Sequence, residues 1–419
     1  MNTNHGCSEF QELTKGINRR SFIKSVMAVG GGLVIAADPG MTYSLAQPGD
    51  AKGIVVTLTM RGGMDGIMAV PLLGSQLLQG YRPRTSLTDT EIHNLDGVFG
   101  LHKNLAGFRD LFHSKELAIV HAAGTPIGTR SHFDDQRAVE FAAYDAGPTQ
   151  TGWQSRYLSA AGHNEILSGF SASRNLPASL NGSAQSVAFQ ALADIELVSV
   201  GRSKQDYRNL LNKMHGDRNG IWSSAARTSL AASENLSGLS PSSETIYPED
   251  IFSQRLRLLA TMLKAGVPIK TANIEFQGDL DVHDDAGIRE GVMAQNFKRL
   301  NDGVMAFRID VGQIWKQTVL VTITEFGRRL MENASAGLDH GWASAMFVIG
   351  GNVKGGQVVA KWPGIEKADL HNGDLRVTTD YRDVLSVILQ DAGGLSAEGL
   401  RQVFPNYQSN RLDLIRSLA

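Results

Sequence analysis

The sequence predicts an α/β protein: a doubly wound, mostly parallel sheet with helices on both faces, plus a Ser-rich insertion. Three observations predict it. Short, β-branched apolar runs recur at 53–60, 116–123, 269–276, 318–324 and 345–349, the pattern of strands buried on both faces. Stretches with helical spacing alternate with them at 104–112, 132–143, 250–265 and 288–315, as in right-handed crossover units. Several of the apolar runs stop at a glycine, an acid or a histidine. The C-terminal strand ends of open α/β sheets are where ligands bind.

Bulk properties narrow the function. The chain has 419 residues and a formal net charge of −2, so it offers no basic field for nucleic acid. Its one cysteine, Cys7, precedes the expected export signal. The mature chain therefore has no disulfide, zinc–thiolate site or cysteine nucleophile. Metal ligands, if present, are His, Asp and Glu.

At the N-terminus, Asn18-Arg19-Arg20-Ser21-Phe22-Ile23-Lys24 precedes a Gly/Ala-rich run from Ser25 to Ala37, and Ser44-Leu45-Ala46 supplies small residues for cleavage. This reads as a twin-arginine signal over 1–46, leaving one domain over 47–419. The expected partner on that route is the twin-arginine export machinery, and the expected location is periplasmic or extracellular. The apolar run is too short and glycine-rich to leave a stable membrane span.

The first strand, 53–60, ends in Arg61-Gly62-Gly63-Met64-Asp65-Gly66. Asp65 is read either as a metal ligand at the sheet edge or as a turn residue capping the next element. The second strand, 116–123, runs into a glycine loop holding Thr129, Arg130, Ser131 and His132. Thr129 or Ser131 then sits at a helix N-terminus, where a hydroxyl serves as an N-cap or faces an anion. Arg130 and His132 beside it favour a site. From 168 to 248 the chain is rich in Ser, Asn and Gly and reads as an insertion or lid. Strand 269–276 ends before Asp281 and His283, which project to the same side if the segment is extended. The stripe Phe297, Leu300, Val304, Phe307, Val311 and Ile314 makes 288–315 a core-facing helix. Strand 318–324 stops at Glu325, and Asp339-His340 precede the apolar run 345–349.

Asp65, Asp281, His283, Glu325 and His340 thus fall at or beyond three strand ends. Oxygen and imidazole donors suit zinc, manganese or a related divalent ion. Two such ions roughly 4 Å apart would clamp the attacking and leaving oxygens of an ester. Arg328 or Arg130 is a candidate for holding the non-transferring anionic oxygens bidentately. Asp339 is read as an acid that orients a ligand.

Taken as a set, GGMDG at 62–66, RSHFDDQ at 130–136, TGWQSRYL at 151–158, DVHDD at 281–285, TEFGRR at 324–329, LDHGWA at 338–343, GGNVKGG at 350–356 and DYRD at 380–383 resemble the family called domain of unknown function 1501. The resemblance spans nearly all of 47–419. That family is grouped with the alkaline phosphatase and sulfatase superfamily, which implies an alkaline phosphatase-like fold and a divalent metal. By this resemblance Asp65 matches the aspartate after the first strand. Ser131, or Thr129, stands where the superfamily keeps its nucleophile. Asp281 and His283 resemble the paired Asp and His ligands, and His340 the last histidine ligand. The sequence departs at Glu325-Phe326, where Asp-His is usual. One imidazole ligand is then absent, and one ion in place of two is an open alternative.

The expectation is an exported, metal-dependent hydrolase of phosphate or sulfate esters. Ser131, Thr129, His132 and Arg328 are its candidate catalytic residues. Asp65, Asp281, His283, Glu325 and His340 are its candidate ligands for zinc, manganese or calcium. The substrate would be a small anionic ester or a sulfated or phosphorylated polymer. The alternative is a non-catalytic periplasmic binding or assembly protein that keeps the fold.

Overall fold

A computed structural model describes residues 53–416, apart from 148, 184, 198–202, 216–220 and 242–243. The expected export signal lies outside the described residues. The main sheet has nine strands: β1 (Ile54–Thr59), β2 (Leu117–Gly124), β3 (Gly169–Ser171), β4 (Ser186–Ala188), β5 (Thr271–Glu275), β6 (Thr318–Ile323), β7 (Ser344–Gly350), β8 (Gln357–Val359) and β9 (Thr379–Asp380). Their order is β8-β2-β7-β6-β1-β5-β3-β4, with β9 also paired to β2. All pairings are parallel except those of β7, which runs antiparallel to both β2 and β6.

Alternation along the strands sends neighbours to opposite faces. Val56, Leu58, Leu320 and Phe347 pack with α1 (Ala106–His113), α4 (Ile251–Lys264) and α5 (Val292–Val311). Val55, Val120, Val319, Val321 and Val348 pack on the other side with α2 (His132–Phe141), α3 (Trp153–Ala160) and α6 (Tyr381–Val387). Every residue of β1, β2, β6 and β7 is buried, which is why these strands read as continuous apolar runs. The expected doubly wound, mostly parallel architecture is therefore the observed one.

Two boundaries differ from expectation. The stretch 168–248 is not wholly an insertion, because β3 and β4 inside it extend the sheet beside β5. Three-residue strands with one large apolar residue each, Phe170 and Val187, are too short to show a period of two. The rest includes helices Lys204–His215 and Ile221–Asn235, which share a small cluster of Tyr207, Leu210 and Leu230. The long helix ends at Val311, not Trp315. Gly312 takes φ +54 and turns the chain into a 3-10 segment, Gly312–Gln317.

The topology decides where the site lies. β1, β2, β5 and β6 all run in one direction, so their following loops leave the same edge of the sheet. β7 runs the opposite way, so the segment leading into it meets that edge as well. Segments 61–66, 125–132, 277–285 and 324–343 are gathered there.

Candidate metal centre

Glu325 follows β6 directly and is 3% exposed. Its Oε1 accepts from the Gly62 amide (2.8 Å), from Gln136 Nε2 (3.1 Å) and from His132 Nδ1 (2.7 Å). Burial works to raise its pKa, but these bonds, led by backbone amides, hold it below the usual range. It is therefore a carboxylate that only accepts. Gly62 and Gly63 take φ +107 and +71. A Cβ on Gly63 would stand 2.6 Å from the Phe326 ring, so the bend that presents the Gly62 amide needs glycine.

The carboxylate of Asp281 is the focus of the site. His340 Nε2 and His283 Nε2 each lie 3.0 Å from its Oδ1, and His132 Nε2 lies 3.2 Å from its Oδ2. The imidazole nitrogens also crowd one another, with His132 Nε2 and His283 Nε2 each 3.1 Å from His340 Nε2. Ligand atoms of His132, Asp281 and His340 all lie within 4.8 Å of one another. Arg328 donates to Asp281 Oδ1 at 2.7 Å. Desolvation opposes ionisation of Asp281, but Arg328, His340 and His132 outweigh it and keep the carboxyl far below the usual range.

The far nitrogens carry the decisive information. His132 Nδ1 meets Glu325, His283 Nδ1 meets Asp339 Oδ1 at 3.1 Å, and His340 Nδ1 meets the Arg130 carbonyl at 2.9 Å. Asn333 and His283 hold the Asp339 carboxyl below its ordinary range. Each of these partners is an acceptor, and on the other side of each ring Nε2 faces the Asp281 carboxylate. Three imidazole nitrogens and one carboxylate thus converge on one small volume. Bonds of about 2.0–2.1 Å to a tetrahedral ion place neighbouring ligand nitrogens about 3.3 Å apart, close to the contacts here. An acceptor behind each imidazole is the usual support of a metal-binding histidine. The donor set fits a divalent ion.

The sequence candidates separate by environment. Asp281, His283 and His340 come together, joined by His132, whose Nε2 lies among the possible ligand atoms. Glu325 stands one shell behind as the partner of His132, and Asp339 does the same for His283. Asp65 is a correction to the ligand set. It is the N-cap of the helical turn Gly66–Ala69, accepting from Ile67 N. Its carboxylate is taken by the buried Arg82, 2.5 Å away. Arg328 is a second correction. It is 2% exposed, and its guanidinium donates to the Gly62, Gly63, Leu280 and Leu338 carbonyls besides Asp281. Those bonds tie three loops together and bury the guanidinium within the fold.

Ser131 is the N-cap of α2, with Oγ accepting from Asp134 N at 3.4 Å. Thr129 Oγ1 accepts from the Ser131 amide at 3.1 Å. The loop is held to its own helix by buried Asp135, which accepts from the Thr129 and Arg130 amides. Phe326 is buried, with its ring 4.7 Å from those of both His132 and His340. It walls one side of the cluster.

Arg82, Gln136 and Asn333 were not singled out from sequence. Arg82 lies 17 residues from Asp65 and carries no spacing signal. Gln136 stands four residues after His132 on α2, so a helix reading of 130–136 contains that pairing.

The family model described as protein of unknown function (DUF1501) matches residues 126–395. The chain belongs to the DUF1501 family. The matched span takes in His132, Asp281, His283, Glu325, Arg328, Asp339 and His340; Asp65 and Arg82 fall before it. No curated protein matches the sequence. Among solved structures the chain is similar to Ps i-CgsB in complex with k-i-k-neocarrahexaose, at 10% identity and TM-score 0.37, covering 84% of this chain and 74% of that one. It is similar to the C-terminal periplasmic domain of EcEptC from Escherichia coli in complex with Zn, at 12% identity and TM-score 0.37, covering 86% and 88%. It is also similar to the PsFucS1 sulfatase from Pseudoalteromonas sp., at 11% identity and TM-score 0.36, covering 94% and 73%. Likenesses of this size carry no functional conclusion.

Proposed function

We propose that this DUF1501 chain is an exported, metal-dependent hydrolase of phosphate or sulfate esters. The observation that carries the reading is the convergence of three imidazole nitrogens on the Asp281 carboxylate. His132, Asp281 and His340 would hold the ion, with His283 beside them. Imidazole-rich donors suit zinc or manganese; calcium, which takes six to eight oxygens, fits this set poorly. When bound, such an ion polarises an anionic ester oxygen and lowers the pKa of a hydroxyl or water next to it.

The chain's own groups fit around that chemistry. Ser131 precedes the ligand His132 and opens α2, where unpaired amides and the helix dipole favour an anion. Its cap bond, at 3.4 Å, uses the oxygen and leaves the hydroxyl proton available. Phe326 keeps water from one flank of the cluster. Export rests on the sequence of 1–46. Among the described residues no helix is long and apolar enough to cross a membrane.

Elemental analysis of the exported protein, followed by a panel of phosphate and sulfate esters with metal restored, tests the reading. Bound divalent metal, with turnover lost and metal retained in Ser131→Ala, is the expected result. Protein with no metal and no turnover would overturn it.

Arg328 favours a second reading. It is buried and bonded to loop carbonyls, and Asp65 is held by Arg82, so two expected members of an ester site serve the scaffold. A binding or assembly protein with one structural ion would look like this, and it would give bound metal without turnover on any ester.

A further inference from the structure

Beyond the metal cluster, two arginines meet at one buried carboxylate. Arg130 Nε lies 2.9 Å from Asp374 Oδ2, and its Nη2 bonds the same oxygen. Arg329 Nε lies 3.5 Å from Asp374 Oδ1. The Asn372 carbonyl accepts from Nη2 of both arginines. Asp374 is 1% exposed, whereas the arginine side chains keep 34% and 37% of their surface open.

Three features make this more than a surface ion pair. Two guanidiniums share one buried carboxylate, and the next acid that feels Arg329 is Asp339. Asp374 Oδ1 is buried and has no hydrogen-bond partner, so Arg329 is held there by charge and not by a made bond. Among the described residues neither arginine donates from Nη1, so each fork keeps a donor for a ligand. The turn 371–374 is shaped to this end. Asn372 and Gly373 take φ +52 and +85, and a Cβ on Gly373 would stand 2.7 Å from Arg329 Nη2.

The pair adjoins the metal cluster. The Arg130 carbonyl receives the Nδ1 proton of His340, and Arg329 N donates to the Asp339 carbonyl. The segment 279–285, which brings His283, is by contrast acidic, with Asp279, Asp281, Asp284 and Asp285. Planar guanidinium forks recognise sulfate, phosphate and carboxylate oxygens through paired donors.

We propose that Arg130 and Arg329 form a second anion subsite, and that the substrate carries a further anionic group beside the ester presented to the metal. This rests on the hydrolase reading and narrows it from simple monoesters to polyanionic esters, with a sulfated sugar and a phosphorylated sugar as the two sources of such chemistry.

The test measures calorimetric affinity of the metal-loaded protein in two arms: a disulfated against a monosulfated disaccharide, and a sugar bisphosphate against its monophosphate. The wild type is expected to prefer the bis-anion about tenfold or more in one arm, which identifies the source. Arg329→Gln is expected to abolish that preference, and Arg329→Lys, which keeps charge but loses the fork, to reduce it in part. Both variants are checked for wild-type melting and metal content, since the Arg329 side chain touches no ligand. No bis-anion preference in either arm, a preference surviving in Arg329→Gln, or no anion binding at all overturns the subsite. Metal content and monoester turnover read the hydrolase proposal separately, so the two fail independently.

Discussion

Glu325 Oε1 lies 2.7 Å from His132 Nδ1, and this pair sets the chemistry of the cluster. A buried carboxylate can only accept, so it fixes the proton on Nδ1 and turns Nε2 toward Asp281 and His340. Gln136 extends the chain, donating to Glu325 while accepting from Arg61 Nη1 at 2.7 Å. Arg61 is in turn held by Glu140 and Glu275. A line of bonds thus runs from a ligand on α2 to the ends of β1 and β5.

Removing the far end of the pair should loosen the metal without removing a ligand. Glu325→Gln is expected to weaken metal affinity about 10–100-fold, the usual cost of losing a partner behind a metal-bound imidazole. His340→Ala, which deletes a ligand, should abolish stoichiometric binding. Competition titration against a chromophoric chelator measures both, and equal affinities in Glu325→Gln and wild type would remove Glu325 from the site.

Arg328 should matter to folding before it matters to metal. Arg328→Met leaves four carbonyls unpaired and Asp281 without its counter-charge. A loss of about 3 kcal/mol is expected, since buried carbonyls left without a donor each cost about 1–3 kcal/mol, while the pair with the partly exposed Asp281 adds little. Urea unfolding of metal-free wild type and variant isolates this from any metal contribution.

Phe326→His is expected to leave metal stoichiometry near one, although it adds an imidazole beside His132 and His340. Asp65, the other residue a second ion would use, remains locked by Arg82. Placing a polar ring at a position 1% exposed should also cost about 2 kcal/mol. A rise to two ions per chain, by elemental analysis, would show that Asp65 is free to exchange partners.

Acid should destabilise the fold through histidines outside the metal cluster. Burial pushes His102 and His121 down from 6.5 to about 4. Both are kept neutral in the folded chain, with Nε2 bonded to the Ile288 and Val70 carbonyls. Between about 6.5 and 4 the unfolded chain takes protons that the folded chain refuses. Their contribution is therefore intact above pH 6.5 and is lost as pH falls toward 4. At 1.36 kcal/mol per pH unit this approaches ~3 kcal/mol for each residue. Denaturant midpoints at pH 7 and pH 4.5 measure it, and His102→Gln should flatten part of the slope.

Much of this protein was legible in its sequence for a physical reason. Strands buried on both faces must be continuously apolar, so β1, β2, β6 and β7 announced themselves. Helices packed on one face must repeat every three to four residues, so α1, α4 and α5 did too. Asp281, His283 and His340 were found because a histidine among acids at a strand end has few structural uses. β3 and β4 were missed because three residues carry no period. His132 was placed at the start of α2, but its place beside Asp281 and His340 was not foreseen, since nothing local shows which loops meet.

By itself the sequence determined the doubly wound architecture, the edge of the sheet that bears the site, and the donor types gathered there. Hydrophobic periodicity and strand polarity are local properties and survive in one dimension. Only the tertiary structure decided which donors face one another. Asp65 and Glu325 look equivalent along the chain, each an acid just past a strand. One is captured by Arg82 and caps a helical turn; the other aligns His132. That division depends on partners 17 and 193 residues away, and only the folded packing of loops from separate strands brings them within bonding distance.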